Sequence, residues 1–294
     1  MEKRQTANLR NMTAKQKRKL HVWFRAAIQL VCFLFFSSAF TAAFAGVKYI
    51  AAQLGAGEKV ELTAFVTALA GLCVFTILFG RFFCGFACAF GSLGDGIHAL
   101  YQWICKKLKR KPVKLNKKLC LWLSMLKYII LALIVVLCFL GVYTKFRGTS
   151  PWDVFSMLHG GNFHLSGYVP GLILLVLIAV GMCVQERFFC RFLCPMGAIF
   201  SMLPVLPAFL LCRDREKCAP KCSACTAKCP SDIELSQESS CETASDCFQC
   251  QKCINTCPKK NIHCGSTEGV RGNELWFTVL RAAALLALYM WLGI

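Results

Sequence analysis

The sequence RFFCGFACAFG at residues 81–91 recurs as RFFCRFLCPMG at residues 187–197, with the same residue type at seven of the eleven positions. Chance is a poor explanation for so many matches in a short window, so the sequence predicts an internal repeat with an offset of 106 residues. Each copy carries a C-x3-C motif directly after an apolar run. The paired cysteines are Cys84 and Cys88 in the first copy, and Cys190 and Cys194 in the second.

The composition is that of a membrane protein. Hydrophobic residues make up 56% of the 294 residues and charged residues only 17%, whereas soluble domains carry about 25% charged residues. A helix needs about 20 apolar residues to cross the hydrocarbon core. Four runs satisfy this requirement and a fifth is interrupted by Arg281; the five runs are 26–45, 62–80, 119–143, 168–184 and 275–294.

The basic residues alternate between loops. Segments 1–25, 81–118 and 187–271 contain eight, nine and eleven Lys and Arg, whereas loops 46–61 and 144–167 contain two each. Because cytoplasmic loops carry the excess of Lys and Arg, the three basic segments are predicted to lie inside and the two loops outside. The net charge of +19 therefore reflects membrane topology, and we expect the lipid bilayer as a partner and no nucleic acid.

Together these patterns predict an all-α polytopic membrane protein. Residues 1–25 form a basic cytoplasmic N-terminus, and residues 26–200 form a four-helix membrane domain. Each copy of the repeat ends a hairpin of one ascending and one descending helix, so the two hairpins have the same orientation, as in parallel-repeat membrane proteins. Residues 212–264 form a separate cysteine-rich cytoplasmic domain, and residues 275–294 are a candidate fifth membrane helix.

The cysteine-rich domain contains the ligand run of a bacterial ferredoxin, Cys-x2-Cys-x2-Cys-x3-Cys-Pro, which ends at Pro258. A second run, which ends at Pro230, has one extra residue in its first gap. In such proteins the fourth cysteine of each run binds the cluster of the other run. The predicted ligands of two [4Fe-4S] clusters are Cys218, Cys222, Cys225 and Cys257 for the first, and Cys247, Cys250, Cys253 and Cys229 for the second.

Structural zinc sites are the alternative, because four thiolates also suit zinc. Zinc ribbons use two separated C-x2-C pairs, whereas this chain has four cysteines in one run, twice, and each run ends in Cys-Pro. The pattern favours iron-sulfur clusters.

Three interpretations compete for the helix-end cysteines at positions 84, 88, 190 and 194: buried apolar residues, a reducible dithiol, or a metal site. If each motif continues the preceding helix, the i, i+4 spacing places both sulfurs on one face, and the repeat brings the two faces together. A lone helical cysteine is explained by packing, but paired cysteines at repeat-related positions are not. We therefore expect a redox or metal site, without choosing between these two.

Two C-x3-C motifs at helix ends, followed by two [4Fe-4S] ligand runs, resemble the NapH-type membrane-integral ferredoxins. That family is related to the C-terminal part of NosR and to CcoG. The resemblance covers residues 20–265. The sequence departs from the family pattern at Ala89, where the family has proline. It also departs in the first ferredoxin run, whose first gap is longer.

The resemblance implies a multi-pass protein of the bacterial cytoplasmic membrane that relays electrons. Cytoplasmic or quinol donors are expected on one side, and an extracytoplasmic redox protein, such as a flavoprotein, on the other. The chain then acts as an electron-transfer component of an oxidoreductase system rather than as a stand-alone enzyme, and no catalytic residue is identified. The alternative is a cofactor-assembly or metal-reducing factor similar to CcoG.

Overall fold

The computed structural model describes residues 14–113, 115–164, 166–206, 210–213, 216–219, 222–233, 244–265 and 274–293. Most of these residues are helical. The helices are α1 (Ala14–Phe35), α2 (Ser38–Ala56), α3 (Ala64–Phe79), α4 (Ala89–Lys107), α5 (Lys117–Phe139), α6 (Pro151–His159), α7 (Val169–Val184), α8 (Pro195–Met202), α9 (Ala224–Ala227), α10 (Lys252–Thr256) and α11 (Glu274–Leu292).

Five shorter elements complete the described chain. Two five-residue π-helical turns, Phe83–Ala87 and Phe189–Leu193, lie 106 residues apart, at equivalent positions of the repeat. A 3-10 helix spans Tyr143–Thr149. Strands β1 (Leu210–Arg213) and β2 (Ile262–Gly265) pair antiparallel, and this ribbon closes the cysteine-rich domain by joining its two ends.

Two helices, α5 and α11, are long and apolar enough to cross a membrane, and α1 with α2 forms a third, bent candidate. The candidate C-terminal helix is therefore present. Helices α3 and α7 have 16 residues each, which is about 24 Å at 1.5 Å per residue. They are shorter than a full span, so the arrangement of four spans stays a prediction. The two long helices and the bent pair support the membrane character of the protein.

The first expected span, 26–45, is not one straight helix. Helix α1 ends at Phe35, α2 begins at Ser38, and the two are bent by 59°. At the break, the Ser37 hydroxyl lies 3.1 Å from Nδ1 of His159, and the His159 ring packs edge-on against Phe33. The start of α1 at Ala14 also makes part of the expected N-terminal segment helical. Residues 1–13 lie outside the described residues.

Helix α6 belongs to the buried core, although its sequence lies in an expected outer loop. Trp152, Val154 and Phe155 are buried, and the Phe155 ring is 4.4 Å from that of Phe90 at the start of α4. Pro151 occupies the first turn of α6, and the Ser150 hydroxyl caps that turn by accepting a hydrogen bond from the Asp153 backbone N–H. Residues 160–164, which follow α6 in the same expected outer loop, are exposed.

Labelling with a membrane-impermeant maleimide tests the topology. An engineered cysteine at Asn162 is expected to react in intact cells, and one at Lys111 only after lysis, because basic loops stay in the cytoplasm. Both positions are exposed, so access to the reagent depends on the membrane and not on burial. Reaction at position 111 but not at position 162 in intact cells would reverse the orientation.

Candidate functional site

The structure brings the first predicted ligand set together. Cys218, Cys222, Cys225 and Cys257 line one cavity of about 30 Å³. Asn261 joins the two runs, because its backbone N–H donates to Sγ of Cys257 at 3.4 Å and its Nδ2 donates to Sγ of Cys218 at 3.6 Å. Three cysteines of the first run thus lie beside the last cysteine of the second run, as crossed ligation would require.

The cysteines of the second predicted set also lie near one another. Cys253 interacts electrostatically with Cys250, Cys247 and Cys229, which come from both runs. Burial raises the pKa of the Cys253 thiol well above its usual range and that of Cys229 to about 11. Thiolates at these positions are therefore costly unless a cation such as iron stabilises them.

The donor chemistry of both sets fits iron-sulfur clusters, since thiolates are the ligands that such clusters use. The first cavity has room for only one or two water molecules, so its thiols have to move apart to admit a cluster. Among the described residues, no three His, Cys, Asp or Glu side chains are grouped so as to hold a metal ion. The eight ligand assignments therefore remain proposals.

The helix-end cysteines have a different local structure from the one expected. Each motif forms a π-helical turn instead of continuing the α-helix, and such turns are frequent at functional sites. Cys88 and Cys194 then have extended backbones and cap α4 and α8. Sγ of Cys194 accepts a hydrogen bond from the Gly197 backbone N–H at 3.2 Å.

The four helix-end cysteines nevertheless come together. The side chains of Cys88 and Cys190 form a hydrogen bond across the repeat. Cys84 and Cys194 interact electrostatically with each other, and both interact with Cys190. All four are buried, with at most 5% of their surface exposed. The four thiols therefore lie near one another in one enclosed region, although their present positions are not those of a metal site.

Two buried arginines, which the sequence interpretation did not single out, line this site. Arg187 reaches into the other repeat copy and donates to the backbone oxygens of Cys84 and Gly85. Arg81 interacts electrostatically with Cys84 and with Cys194 of the other copy. The repeat could have indicated these two arginines, because they are the first matched residues of its two copies.

The second ferredoxin set is docked against the helix-end site through Phe248. The guanidinium groups of Arg81 and Arg187 lie over the Phe248 ring, 4.7 and 5.3 Å from its centre. Its backbone oxygen packs so closely on Gly85 that a Cβ there would lie 2.3 Å away. The repeat explains this contact: the second copy has Arg191 at the equivalent position, and only the first copy leaves room for the Phe248 backbone.

Ion pairs reinforce the docking. Arg191 pairs with Asp232 at 2.8 Å. Lys127, which interrupts the apolar run of α5, is buried and pairs with Asp246 at 2.7 Å. This lysine thus connects a membrane helix to the cysteine-rich domain.

A column of aromatic rings leads from the helix-end site toward the other end of the helices. Phe189 stacks on Phe90 at 4.5 Å, Phe40 contacts both rings, and Phe44 continues the column to Trp152 at 5.2 Å. Beyond Trp152 lies a cavity of about 720 Å³. Its lining includes Lys48, Tyr49, Tyr143, Asp153 and Tyr168.

Comparison with known proteins gives a family match over part of the chain and several relatives. The family described as a 4Fe-4S binding domain matches residues 62–112 and 169–209, which contain the two helix-end motifs. The ferredoxin-type protein NapH of Escherichia coli is 26% identical over 65% of this chain and 65% of its own length. The resemblance to the NapH-type family is confirmed. The described relation to NosR and CcoG stays an expectation.

Other relatives include an uncharacterized protein of Methanocaldococcus jannaschii, which is 29% identical over 69% of this chain and 71% of its own length. The putative electron transport protein YccM of Escherichia coli is 25% identical over 73% of this chain and 59% of its own length. No solved structure matches the chain. The family match supports iron-sulfur binding by this membrane protein.

Proposed function

We propose that this protein is a membrane-bound electron carrier that relays single electrons between cytoplasmic iron-sulfur clusters and an extracytoplasmic redox partner. The observation that carries the proposal is the position of Arg187, which interacts electrostatically with Cys190 of the helix-end site and with Cys250 of the second ferredoxin set. The same buried guanidinium therefore lies within electrostatic range of both cysteine groups. This shared neighbour supports electron transfer between the two groups.

The order of the relay follows from the packing. The first ferredoxin set lies beside the β-ribbon, and the second set contacts the helix-end site through Phe248. The aromatic column continues from Phe189, next to Cys190, to Trp152. We propose that the four helix-end thiols carry the transmembrane step, because the ferredoxin domain does not itself enter the membrane helices.

The 720 Å³ cavity is the proposed place of exchange with the outer partner or with quinol. Its lining combines apolar surface with hydroxyl, amide and charged groups, among them Lys48, Tyr49 and Asp153. A quinol oxidised there would pass its two electrons to the relay one at a time and release its two protons to the outer solvent. The relatives named as ferredoxin-type and electron transport proteins support electron transfer as the function.

Anaerobic purification tests the clusters. The two ferredoxin sets are expected to hold about eight iron atoms. Cys250→Ser should remove the spectroscopic signal of one cluster and Cys225→Ser that of the other, because each loses a ligand. Cys73→Ser, in α3, is the matched control and should retain both. Stoichiometric zinc without iron in the wild-type protein would refute the proposal.

A further inference from the structure

One largely buried carboxylate, that of Asp95 in α4, is shared by three segments of the chain. Its side chain is 12% exposed. Arg187 of the second repeat copy donates to both of its oxygens, from Nε at 3.2 Å and from Nη2 at 2.7 Å. Arg25 of α1 donates to it at 2.7 Å, and Nζ of Lys252, in the cysteine-rich domain, lies 3.5 Å from it. Asp95 therefore connects α1, the second repeat copy and the cysteine-rich domain.

The two arginines that Asp95 holds also contact the backbone of both cysteine groups. Arg187 donates to the backbone oxygen of Cys84, in the helix-end site. Arg25 donates at 3.0 Å to the backbone oxygen of Cys250, in the second ferredoxin set. Because one carboxylate orients both guanidinium groups, the placement of the second set against the helix-end cysteines depends on Asp95.

The internal repeat does not supply this carboxylate twice. The position equivalent to Asp95 in the second copy is Ser201, whose hydroxyl donates to backbone oxygens of its own helix. The arginine equivalent to Arg187 is Arg81, which pairs at 3.2 Å with Asp246, the residue before the second ferredoxin run. Arg81 thus takes its counter-ion from the docked domain, whereas Arg187 takes its counter-ion from α4.

A carboxylate in this place affects the energetics of electron transfer. An electron added to a redox centre is a negative charge, so a nearby cation stabilises the reduced state and a nearby anion destabilises it. Three cations lie beside the two cysteine groups, namely Arg25, Arg187 and Lys252. The Asp95 carboxylate pairs with all three, and that of Glu186 pairs with Lys252. Water screens such buried pairs weakly, so the charge of Asp95 acts on both groups.

We propose that Asp95 is a positioning residue for electron transfer between the second ferredoxin set and the helix-end site. It holds Arg187 and Arg25 against the two cysteine groups, and it keeps the reduction potentials of both centres lower than the cations alone would set them. In the transfer step one electron leaves the second ferredoxin cluster, which is oxidised, and reaches the helix-end centre, which is reduced. The inference rests on the proposed function and adds to it a residue that controls this step.

Redox titration of Asp95→Asn tests the charge with little change in shape. The cluster whose signal is lost in Cys250→Ser should shift to a more positive reduction potential, because a negative charge beside it is removed. Asp95→Glu, which keeps the charge, should keep the wild-type potential. Glu58→Gln removes an exposed carboxylate after α2 and is the matched control. An unchanged potential in Asp95→Asn would overturn the inference.

Arg25→Gln provides a second test that does not depend on the stability of Asp95→Asn. It removes a cation that contacts the Cys250 backbone, so the same potential should shift to a more negative value. The double variant loses one charge of each sign and should return toward the wild-type potential. Shifts of the same sign in the two single variants would show that both residues act through packing, and would overturn the inference.

Electron transfer across the membrane of proteoliposomes separates this inference from the proposed function. The rate should fall several-fold in Asp95→Asn and match the wild type in Glu58→Gln. Wild-type protein that transfers no electrons across the membrane would refute the proposed function. Active wild-type protein, together with wild-type rate and potential in Asp95→Asn, would refute only the role of Asp95.

Discussion

Cys194→Ser is expected to leave the protein inserted in the membrane with both ferredoxin-type clusters intact, and to reduce electron delivery to the outer face to the background rate. Cys194 is buried and interacts with Cys84 and Cys190, so its loss disrupts the helix-end site. The ferredoxin sets use other cysteines and lie in another part of the chain. Folding should therefore depend on Cys194 less than function does.

Proteoliposomes allow the two effects to be measured separately. The ferredoxin clusters are reduced on their own side, and their reoxidation by an impermeant acceptor on the opposite side is followed optically. Cys138→Ser is the matched control, since Cys138 is a buried cysteine of α5 that does not belong to the repeat motif. Wild-type rates in the variant with all four helix-end cysteines replaced by alanine would show that these residues serve only in packing.

The proximity of the cysteines was predictable from the sequence because the signals for it are local or repeated. Spacing within each ferredoxin run is set by the geometry of a single loop, and the structure places the members of each crossed set near one another. The convergence of the helix-end cysteines followed from the repeat, even though the expected continuous α-helix is replaced by π-helical turns. The structure preserves the internal repeat, because Phe83–Ala87 and Phe189–Leu193 have the same conformation.

Other features depend on contacts between distant segments, and the sequence patterns do not reveal them. Hydropathy shows one apolar run across Ser37, whereas the bend there coincides with a contact to His159, more than 100 residues away. Arg281 looks like a defect in the last span, yet it is buried and packs over the ring of Phe82. A buried cation is accommodated by its neighbours, and those neighbours are known only after folding.

The two repeat copies differ at one position that matters for docking, and this difference yields the sharpest test of the relay. Gly85 in the first copy contacts the Phe248 backbone, and a Cβ at this position would lie 2.3 Å from the Phe248 oxygen and 3.5 Å from the Cys250 nitrogen. The obstructing atom is backbone and cannot rotate away. Overpacking of this kind costs about 1–3 kcal/mol.

Gly85→Ala is therefore expected to lower the rate of electron transfer from the second ferredoxin set to the helix-end site by about 5- to 150-fold, because the strain acts on the docked arrangement. Iron content and the cluster spectra should remain those of the wild type. Gly96→Ala is the matched control, since a Cβ at that exposed position of α4 meets no atom within 4 Å. Equal transfer rates in the two variants would contradict docking through Phe248, and the rates can be compared by stopped-flow reoxidation in the same proteoliposomes.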